Sequence, residues 1–169
     1  MSIPEGLEGG MTQGRDGARR SPTLDQLRTW REFVETTEAL RSRLSSRLQA
    51  ESGLSWADYA VLLALHDADG GCLRSSALAT AVGWERSRLS HHVGRMERRG
   101  LVARRGSRAA GVALTDEGAA SFRRASVGHL RDVRRLFVDA LSDDQLAAAG
   151  EIAVALRASL EGAPGTPPA

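Results

Sequence analysis

The chain has 169 residues, of which 41% are hydrophobic and 26% charged, and its net charge is +2. These values are typical of a soluble globular protein with one domain. The single cysteine excludes an intrachain disulfide and a zinc site built mainly from cysteines. No apolar run reaches the ~18 to 20 residues of a membrane-spanning helix. The first residues do not suit a signal peptide either, so we expect a cytoplasmic protein.

Both ends of the chain are poor in large apolar side chains. Residues 1–22 combine glycine and proline with scattered charge, and residues 162–169 read GAPGTPPA. Such segments bury too little apolar surface to offset the entropy lost on folding. We therefore expect a disordered N-terminal arm over 1–22, a folded domain over 23–161 and a disordered tail over 162–169.

The folded domain begins with a long amphipathic helix over residues 24–50. Its stripe recurs every three or four residues, at Leu27, Trp30, Val34, Thr37, Leu40, Leu44 and Leu48. The stripe suits either the core of one chain or pairing with a second chain. Gly53 is placed to end this helix.

A second and more apolar helix follows. Ser55 and Asp58 have the spacing of a capping box, and the residues after them are rich in leucine and aromatic side chains. We expect a buried central helix that ends before Asp69-Gly70-Gly71. Cys72-Leu73 is then predicted to be a short extended link.

The next segment has the spacing of a helix-turn-helix. Ala79 is small enough for a second helix to cross close to it, and Gly83 suits the turn because it adopts positive φ without a Cβ penalty. The second helix has an inward face at helical spacing, which consists of Leu89, Val93 and Met96. His92 is also expected to point inward and to be structural.

The outer face of this second helix is basic and polar. Between Trp84 and Arg108, eight arginines stand against Glu85 and Glu97, a local charge of +6 in a chain of +2. A solvated amphipathic helix is the alternative, but concentrated charge at this place favours a helix that enters the DNA major groove. The DNA-contacting residues are predicted to be Arg86, Ser87, Arg88, Ser90, His91 and Arg95.

A β-hairpin is predicted after the helix stop at Gly100. The strand candidates are residues 101–105 and 111–114, with a turn at Gly106-Ser107. A hairpin in this place is a wing, whose arginines contact phosphates or a narrow groove. The wing arginines are Arg104, Arg105 and Arg108.

Two further helices complete the domain. Thr115 is expected to cap the first of them, because Asp116 and Glu117 follow it and suit the positive end of a helix dipole. Ser142 and Gln145 have capping-box spacing before the second. That last helix carries a heptad-like stripe at Leu146, Ala149, Ala153, Leu156 and Leu160.

In this order, the elements resemble the MarR family of bacterial transcription regulators. The resemblance covers residues 24–161, and its most specific parts are the runs GWERSRLSHHVGRMERRGLVARR and VALTDEG. It implies a mainly α fold with a small β-hairpin wing. A winged helix-turn-helix lobe over 55–115 would lie between dimerisation helices over 24–50 and 116–161.

The resemblance also implies function. Family members are homodimers that present two winged helices, about 34 Å apart, to a pseudo-palindromic operator in double-stranded DNA. Most are repressors, and many release DNA when a small aromatic or anionic effector binds between the dimer helices and the winged helix. By position, the residues expected to line such a crevice are Trp30, Arg31, Trp56, Tyr59 and His66.

The wing departs from the family pattern. Family wings commonly carry an aspartate two residues before the tip arginine, and this aspartate orients it. Arg108 aligns with the tip arginine, but Gly106 stands at the aspartate position and the loop is shorter. We therefore expect the wing to contact DNA less deeply than in the family.

Two other functions fit parts of the sequence. A winged-helix protein-interaction module would keep the fold without binding DNA, but the +6 segment disfavours it. A thiol-based redox sensor at Cys72 has no resolving cysteine in the chain, so a structural role is favoured for this residue. No catalytic, cofactor or metal-binding motif is present, and we predict neither an enzyme nor a cofactor or metal site.

Overall fold

The computed structural model describes residues 21–106 and 111–162. The predictions for the arm up to residue 20, for Ser107 and Arg108 in the wing, and for the tail from residue 163 lie outside the described residues. The chain divides into two compact units, Met1–Thr36 and Thr37–Ala169.

The elements are mostly helical and follow the predicted order. The helices are α1 (Leu24–Ser52), α2 (Trp56–His66), α3 (Ser75–Val82), α4 (Arg86–Arg98), α5 (Asp116–Val133) and α6 (Asp143–Gly162). The strands are β1 (Cys72–Arg74), β2 (Val102–Arg105) and β3 (Gly111–Leu114). The predicted fold class, mainly α with a small hairpin wing, is confirmed. None of the helices within the described ranges is long and apolar enough to cross a membrane.

Hydrogen bonds between nearby residues cap α2 and α6 where their starts were predicted. At α2, the backbone N–H of Asp58 donates to Ser55 Oγ (3.1 Å) and the N–H of Ser55 donates to the Asp58 carboxylate (3.0 Å). At α6, Ser142 and Gln145 form the same reciprocal pair, at 2.9 and 3.3 Å. Each box satisfies backbone donors that a helix start leaves without partners.

The sheet has a third strand that was not predicted. β3 pairs antiparallel with β2 and with β1, in the order β1-β3-β2. Cys72 lies opposite Ala113 in this register, so the segment predicted as an extended link is a strand of the sheet. The link precedes α3, and its pairing therefore fastens the start of the helix-turn-helix to the wing.

The core lies in the lobe formed by α2, α3, α4 and the sheet. Its most deeply buried side chains, at 0% exposure, are Val61, Leu62, Leu65, Leu78 and Met96. Gly83 adopts the predicted left-handed conformation, with φ of 68° at the end of α3. The predicted inward face of α4 is buried, and α4 is therefore held on the lobe by its apolar side.

The start of α5 passes the segment between α4 and β2 so closely that only glycine fits at position 118. A Cβ on Gly118 would lie 1.8 Å from the carbonyl oxygen of Leu101. Thr115 Oγ1 donates to the Gly100 carbonyl (2.6 Å) and accepts from the N–H of Gly118 (2.9 Å). The T-D-E-G run is thus explained by a cap and a close backbone contact.

The two last helices use their apolar residues differently from the lobe. α5 continues into a π-helical segment, Arg134–Val138, and Leu130 before it is 62% exposed. α6 contains no buried residue, and Leu156 and Leu160 of its predicted stripe are 49% and 78% exposed. The chain's own core therefore does not use the stripe of α6.

Candidate nucleic-acid interface

Helix α4 turns its basic face away from the lobe. Its predicted DNA-contacting side chains are all exposed: Arg86, Ser87, Arg88, Ser90, His91 and Arg95. Because the opposite face is buried in the core, the helix can offer this face to a partner without disturbing the fold. The structure therefore brings these six residues together on one surface.

Trp84, in the turn before α4, supports one of these arginines. The Arg88 guanidinium lies 4.5 Å from the centre of the Trp84 ring, a cation–π contact. The same indole forms a T-shaped pair with the ring of His92, with ring centres 5.3 Å apart and planes at 85°. No role for Trp84 was predicted from the sequence, because its contacts form only when the turn folds.

His92 is buried, as predicted, and connects α4 with α2. Arg95 Nη2 lies 2.7 Å from His92 Nδ1. On the other side of the ring, Nε2 lies 3.0 Å from Oδ1 of Asp58, although the two are not aligned as a hydrogen bond. Burial lowers the pKa of His92 below its ordinary value, and this outweighs the nearby Asp58 carboxylate.

Arg99 is an anchor of the lobe. Its Nη1 donates to Asp58 Oδ2 at 2.7 Å, and its Nη2 donates to the carbonyl of Gly53 at 3.0 Å. Burial alone would raise the pKa of Asp58, but the hydrogen bonds from Arg99 and Ser55 outweigh it and lower the pKa. Arg99 thereby ties the end of α4 to the start of α2, a contact that no pattern in the sequence predicts.

The wing arginines differ in their surroundings. Arg104 lies against α4, where its Nε is 3.5 Å from Glu97 Oε2 and its backbone N–H donates to Glu97 Oε1 at 3.3 Å. Arg105 is exposed, and Arg108 lies outside the described residues. Arg104 therefore joins β2 to α4, a contact that was not predicted from the sequence.

A crevice of about 660 Å³ runs between α1, the start of α2 and the α3–α4 turn. Its aromatic walls are Trp56 and Trp84, and its charged groups are Glu38, Arg41 and Arg88. Arg88 thus belongs both to the outer face of α4 and to the crevice. Of the predicted effector residues, Trp56 lines this space, whereas Arg41, Trp84 and Arg88 were not assigned to it from the sequence.

The other predicted effector residues lie elsewhere. Tyr59 is 7% exposed and packs on Phe122, with ring centres 5.2 Å apart. His66 is exposed and also packs on Phe122, at 4.8 Å. Trp30 and Arg31 are exposed residues of the first unit, Met1–Thr36. The crevice therefore gathers one of the five residues.

Cys72 is exposed on β1. Its Sγ lies 3.4 Å from where a Cβ on Gly111 would stand, so the thiol packs against the neighbouring strand. Within residues 21–106 and 111–162, no group of three or more His, Cys, Asp or Glu side chains is arranged to hold a metal ion.

Three comparisons relate this chain to known proteins. A family model described as "MarR family" matches residues 52–111. AbsC, a MarR family transcriptional regulator from Streptomyces coelicolor, is 32% identical; the match covers 85% of this chain and 99% of AbsC, with a TM-score of 0.79. Sco3205, a MarR family transcriptional regulator from the same organism solved in complex with DNA, is also 32% identical, with 83% and 94% coverage and a TM-score of 0.77.

A more distant similarity concerns the fold alone. The organohalide-sensing regulator RdhR-CbdbA1625, solved with bound 2,4-dichlorophenol, is 19% identical, with 89% of each chain covered and a TM-score of 0.70. None of the curated proteins matches the sequence significantly.

Proposed function

This chain belongs to the MarR family of transcriptional regulators, and we propose that it is a homodimeric repressor that binds a pseudo-palindromic operator through α4 and the wing. One observation carries this proposal. Six polar side chains, three of them arginines, are exposed on a helix whose opposite face is locked in the core, and a 32% identical relative is solved in complex with DNA. Family members regulate transcription and are not enzymes.

The arginines of α4 make different contacts with DNA, according to their position along the helix. Arg86 and Arg88, in the first turn, reach guanine O6 and N7 in the major groove, where bidentate contacts distinguish bases. Ser87, Ser90 and His91 contact base edges or phosphates, and Arg95, two turns later, contacts the backbone. In the wing, Arg105 and Arg108 contact phosphates, while Arg104 holds β2 on α4 through Glu97.

Exposed apolar side chains support the dimer. Val127 and Leu130 on α5 and Ile152, Leu156 and Leu160 on α6 are each between 48% and 78% exposed. Large apolar side chains exposed in this number on two helices indicate an interaction site. A second copy of the chain would cover it and would place two winged helices on successive major grooves, about 34 Å apart. Because the proposed partner is DNA, we expect the protein to act in the cytoplasm.

The crevice supports control by a small effector. Its two tryptophans offer flat apolar walls, and Arg41 and Arg88 offer positive charge, which together suit an aromatic anion. An effector there would contact Trp84, which precedes α4, and Arg88, which belongs to α4 and lies over the Trp84 ring. By binding one arrangement of α4 better than another, it would shift the population away from the DNA-binding state.

The DNA proposal is tested by selecting bound duplexes from a random pool and titrating variants against a selected and a scrambled duplex. Arg86→Ala and Arg88→Ala are each expected to cost about 1–3 kcal/mol and to relax specificity, whereas Arg108→Ala weakens both duplexes evenly. Arg28→Ala is the control, since Arg28 is an exposed arginine outside the lobe. Affinities unchanged by Arg86→Ala and Arg88→Ala would sink the assignment.

Salt separates this proposal from a protein-interaction module. Phosphate contacts release counterions, so duplex affinity must fall steeply as salt rises. Absence of duplex binding, or binding that is indifferent to salt, would favour the module.

The effector proposal is tested with benzoate as an aromatic anion. Benzoate is expected to release the selected duplex from the wild type and to act weakly on Arg41→Ala. Arg43→Ala is the matched control, because Arg43 is an exposed arginine of the same helix that does not line the crevice. An equal response in both variants would remove the crevice from the proposal.

A further inference from the structure

The buried face of α4 contains one polar ring. His92 is 6% exposed and stands among Leu89, Val93 and Met96. An imidazole in such a place is costly unless its nitrogens find polar neighbours. A second apolar residue would serve the core better, so the contacts of this ring suggest what it does there.

The contact with Arg95 fixes the state of the ring. A guanidinium can only donate hydrogen bonds, so His92 Nδ1, 2.7 Å from Arg95 Nη2, must accept. The ring is therefore neutral, with its proton on Nε2, which faces the Asp58 carboxylate at 3.0 Å. Burial keeps the pKa of His92 low and so favours this neutral form at pH 7.

Asp58 is itself held from two sides. Its carboxylate accepts from the N–H of Ser55 at the start of α2 and from Arg99 at the end of α4. The hydrogen bonds from Ser55 and Arg99 fix the position of this carboxylate, so it does not move together with the His92 ring. Arg95 is thus connected to its own helix and, through the 3.0 Å electrostatic contact between His92 and Asp58, also to α2.

A second contact leads from the same ring to Arg88. His92 meets Trp84 edge to face at 5.3 Å, and Arg88 lies 4.5 Å from the centre of the Trp84 ring. The two arginines are seven positions apart and both are exposed on α4. One buried ring therefore supports both, directly in one case and through an indole in the other.

We propose that His92 is a positioning residue of the recognition helix, which holds Arg95 and Arg88 in the directions needed for DNA contact. This inference rests on the proposed function of α4 as the DNA-binding helix. A free arginine loses much rotamer freedom when it binds a phosphate or a base, and holding it beforehand reduces that loss. His92 touches no DNA in this role; it acts through the two arginines.

Protonation must break the arrangement. A proton on Nδ1 turns the acceptor into a donor, so Arg95 loses its bond and faces a like charge. The charged groups that face the ring are Asp58 from α2, which favours protonation, and Arg95 and Arg99 from α4, which oppose it. Trp84 brings Arg88 to the remaining side. Because the pKa of His92 is lowered, the affinity for operator DNA falls only once the pH is below the ordinary pKa of a histidine, about 6.5.

The experiment is a double-mutant cycle between His92 and Arg95 in the full chain. The affinity for a selected duplex is measured from about pH 7.5 to about pH 5. His92→Phe is expected to lower this affinity about five- to tenfold in an otherwise unchanged chain and by clearly less in an Arg95→Ala background, where only the support of Arg88 is left to lose. His92→Gln keeps an acceptor for Arg95 and an N–H facing Asp58, so it retains most of the affinity but loses the fall in affinity at low pH.

The control is His129→Gln. Burial also lowers the pKa of His129, which lies on α5 against Trp56 and Tyr59, so its removal tests whether any buried histidine gives the same pH profile. The wild-type profile is expected to persist in this variant. If His92→Phe does not fold, the pH profile of His92→Gln carries the test.

Two results would overturn the inference. Additive effects of His92→Phe and Arg95→Ala, or an unchanged pH profile in His92→Gln, would make His92 a core residue only. A wild type that does not distinguish the selected from the scrambled duplex would overturn the proposed DNA-binding function itself, and that outcome is read before any variant is made.

Discussion

The lobe from α2 to β3 and helix α6 both carry apolar side chains at helical spacing, but these side chains are buried in the lobe and exposed on α6. In the lobe, Val61, Leu78 and Met96 are completely buried within one chain. In α6, no residue is buried, and Leu160 of its stripe is 78% exposed. A stripe of apolar side chains therefore predicts an interface but does not say with which surface, because only three-dimensional packing supplies the opposite side.

This contrast predicts that changes in the two regions damage different properties. A substitution in the lobe should change the free energy of unfolding of each chain. A substitution on the exposed stripe of α6 should leave each chain folded and change its assembly, and through it DNA binding. The predictions that follow test this separation.

The largest effect is expected for Leu156→Arg on α6. Leu156 is 49% exposed in one chain, and a charge there would be buried in the proposed dimer. We expect a monomer of normal helix content, with an affinity for the selected duplex reduced on the order of 1000-fold, since one winged helix then binds alone. Sedimentation and duplex titration measure both quantities. Ser159→Arg, an exposed polar position on the same helix, is the control, and an intact dimer in Leu156→Arg would contradict the contrast.

Gly118→Ala, at the point where α5 meets the lobe, should be the change that most reduces the stability of each chain. The added Cβ would lie 1.8 Å from the carbonyl oxygen of Leu101. This oxygen belongs to the backbone, so the clash is relieved only if Leu101 or the start of α5 moves. We expect a loss of about 3 kcal/mol or more in the free energy of unfolding, measured by urea denaturation. Gly128→Ala is the matched control on α5, because its Cβ would meet only the mobile end of the Glu51 side chain, at 2.5 Å. Equal losses in both variants would mean that crowding at Leu101 is not the cause.

Asp58→Ala removes the acceptor that ties α2 to the end of α4. It leaves Arg99 with only the carbonyl of Gly53 as a partner and also removes the capping box of α2. Because the Arg99 side chain is 44% exposed and water partly replaces the bond, we expect a cost of about 2 kcal/mol, below that of a fully buried pair. Asp25→Ala breaks an exposed pair with Arg28 and should cost less than about 1 kcal/mol. Thermal unfolding of the two variants side by side distinguishes these outcomes.

The smallest effects compare two helical glycines. Alanine is preferred to glycine inside a helix by about 0.5–1 kcal/mol, and a Cβ on Gly94 meets only the end of Arg98, at 4.0 Å. Gly94→Ala should therefore stabilise the fold by about that amount. A Cβ on Gly150 in α6 meets nothing within 4 Å in one chain, so Gly150→Ala should gain as much. A smaller gain at Gly150, measured on the dimer, would place this residue in the proposed interface.

The sequence determined the local features of this protein. The capping boxes at Ser55 and Ser142, the cap at Thr115 and the turn at Gly83 all lie where predicted. Each depends on residues only a few positions apart, so both partners of the interaction can be identified within one short segment of the sequence. The same holds for α4, whose inward and outward faces follow from a period of 3.6 residues. These features were sufficient to suggest the family.

Tertiary structure decided the contacts between distant residues. Asp58 and Arg99 are 41 positions apart, and β1 becomes a strand only because β3 passes beside it. The crevice gathers Arg41, Trp56 and Trp84 from three elements, whereas the position of Tyr59 along its helix did not show that it faces Phe122. Such pairs leave no periodic mark in a sequence, since the chain between them can be of any length. The two faces of α4 could be predicted from its residues, but the contacts of His92 with Asp58 and Trp84 are defined by the fold.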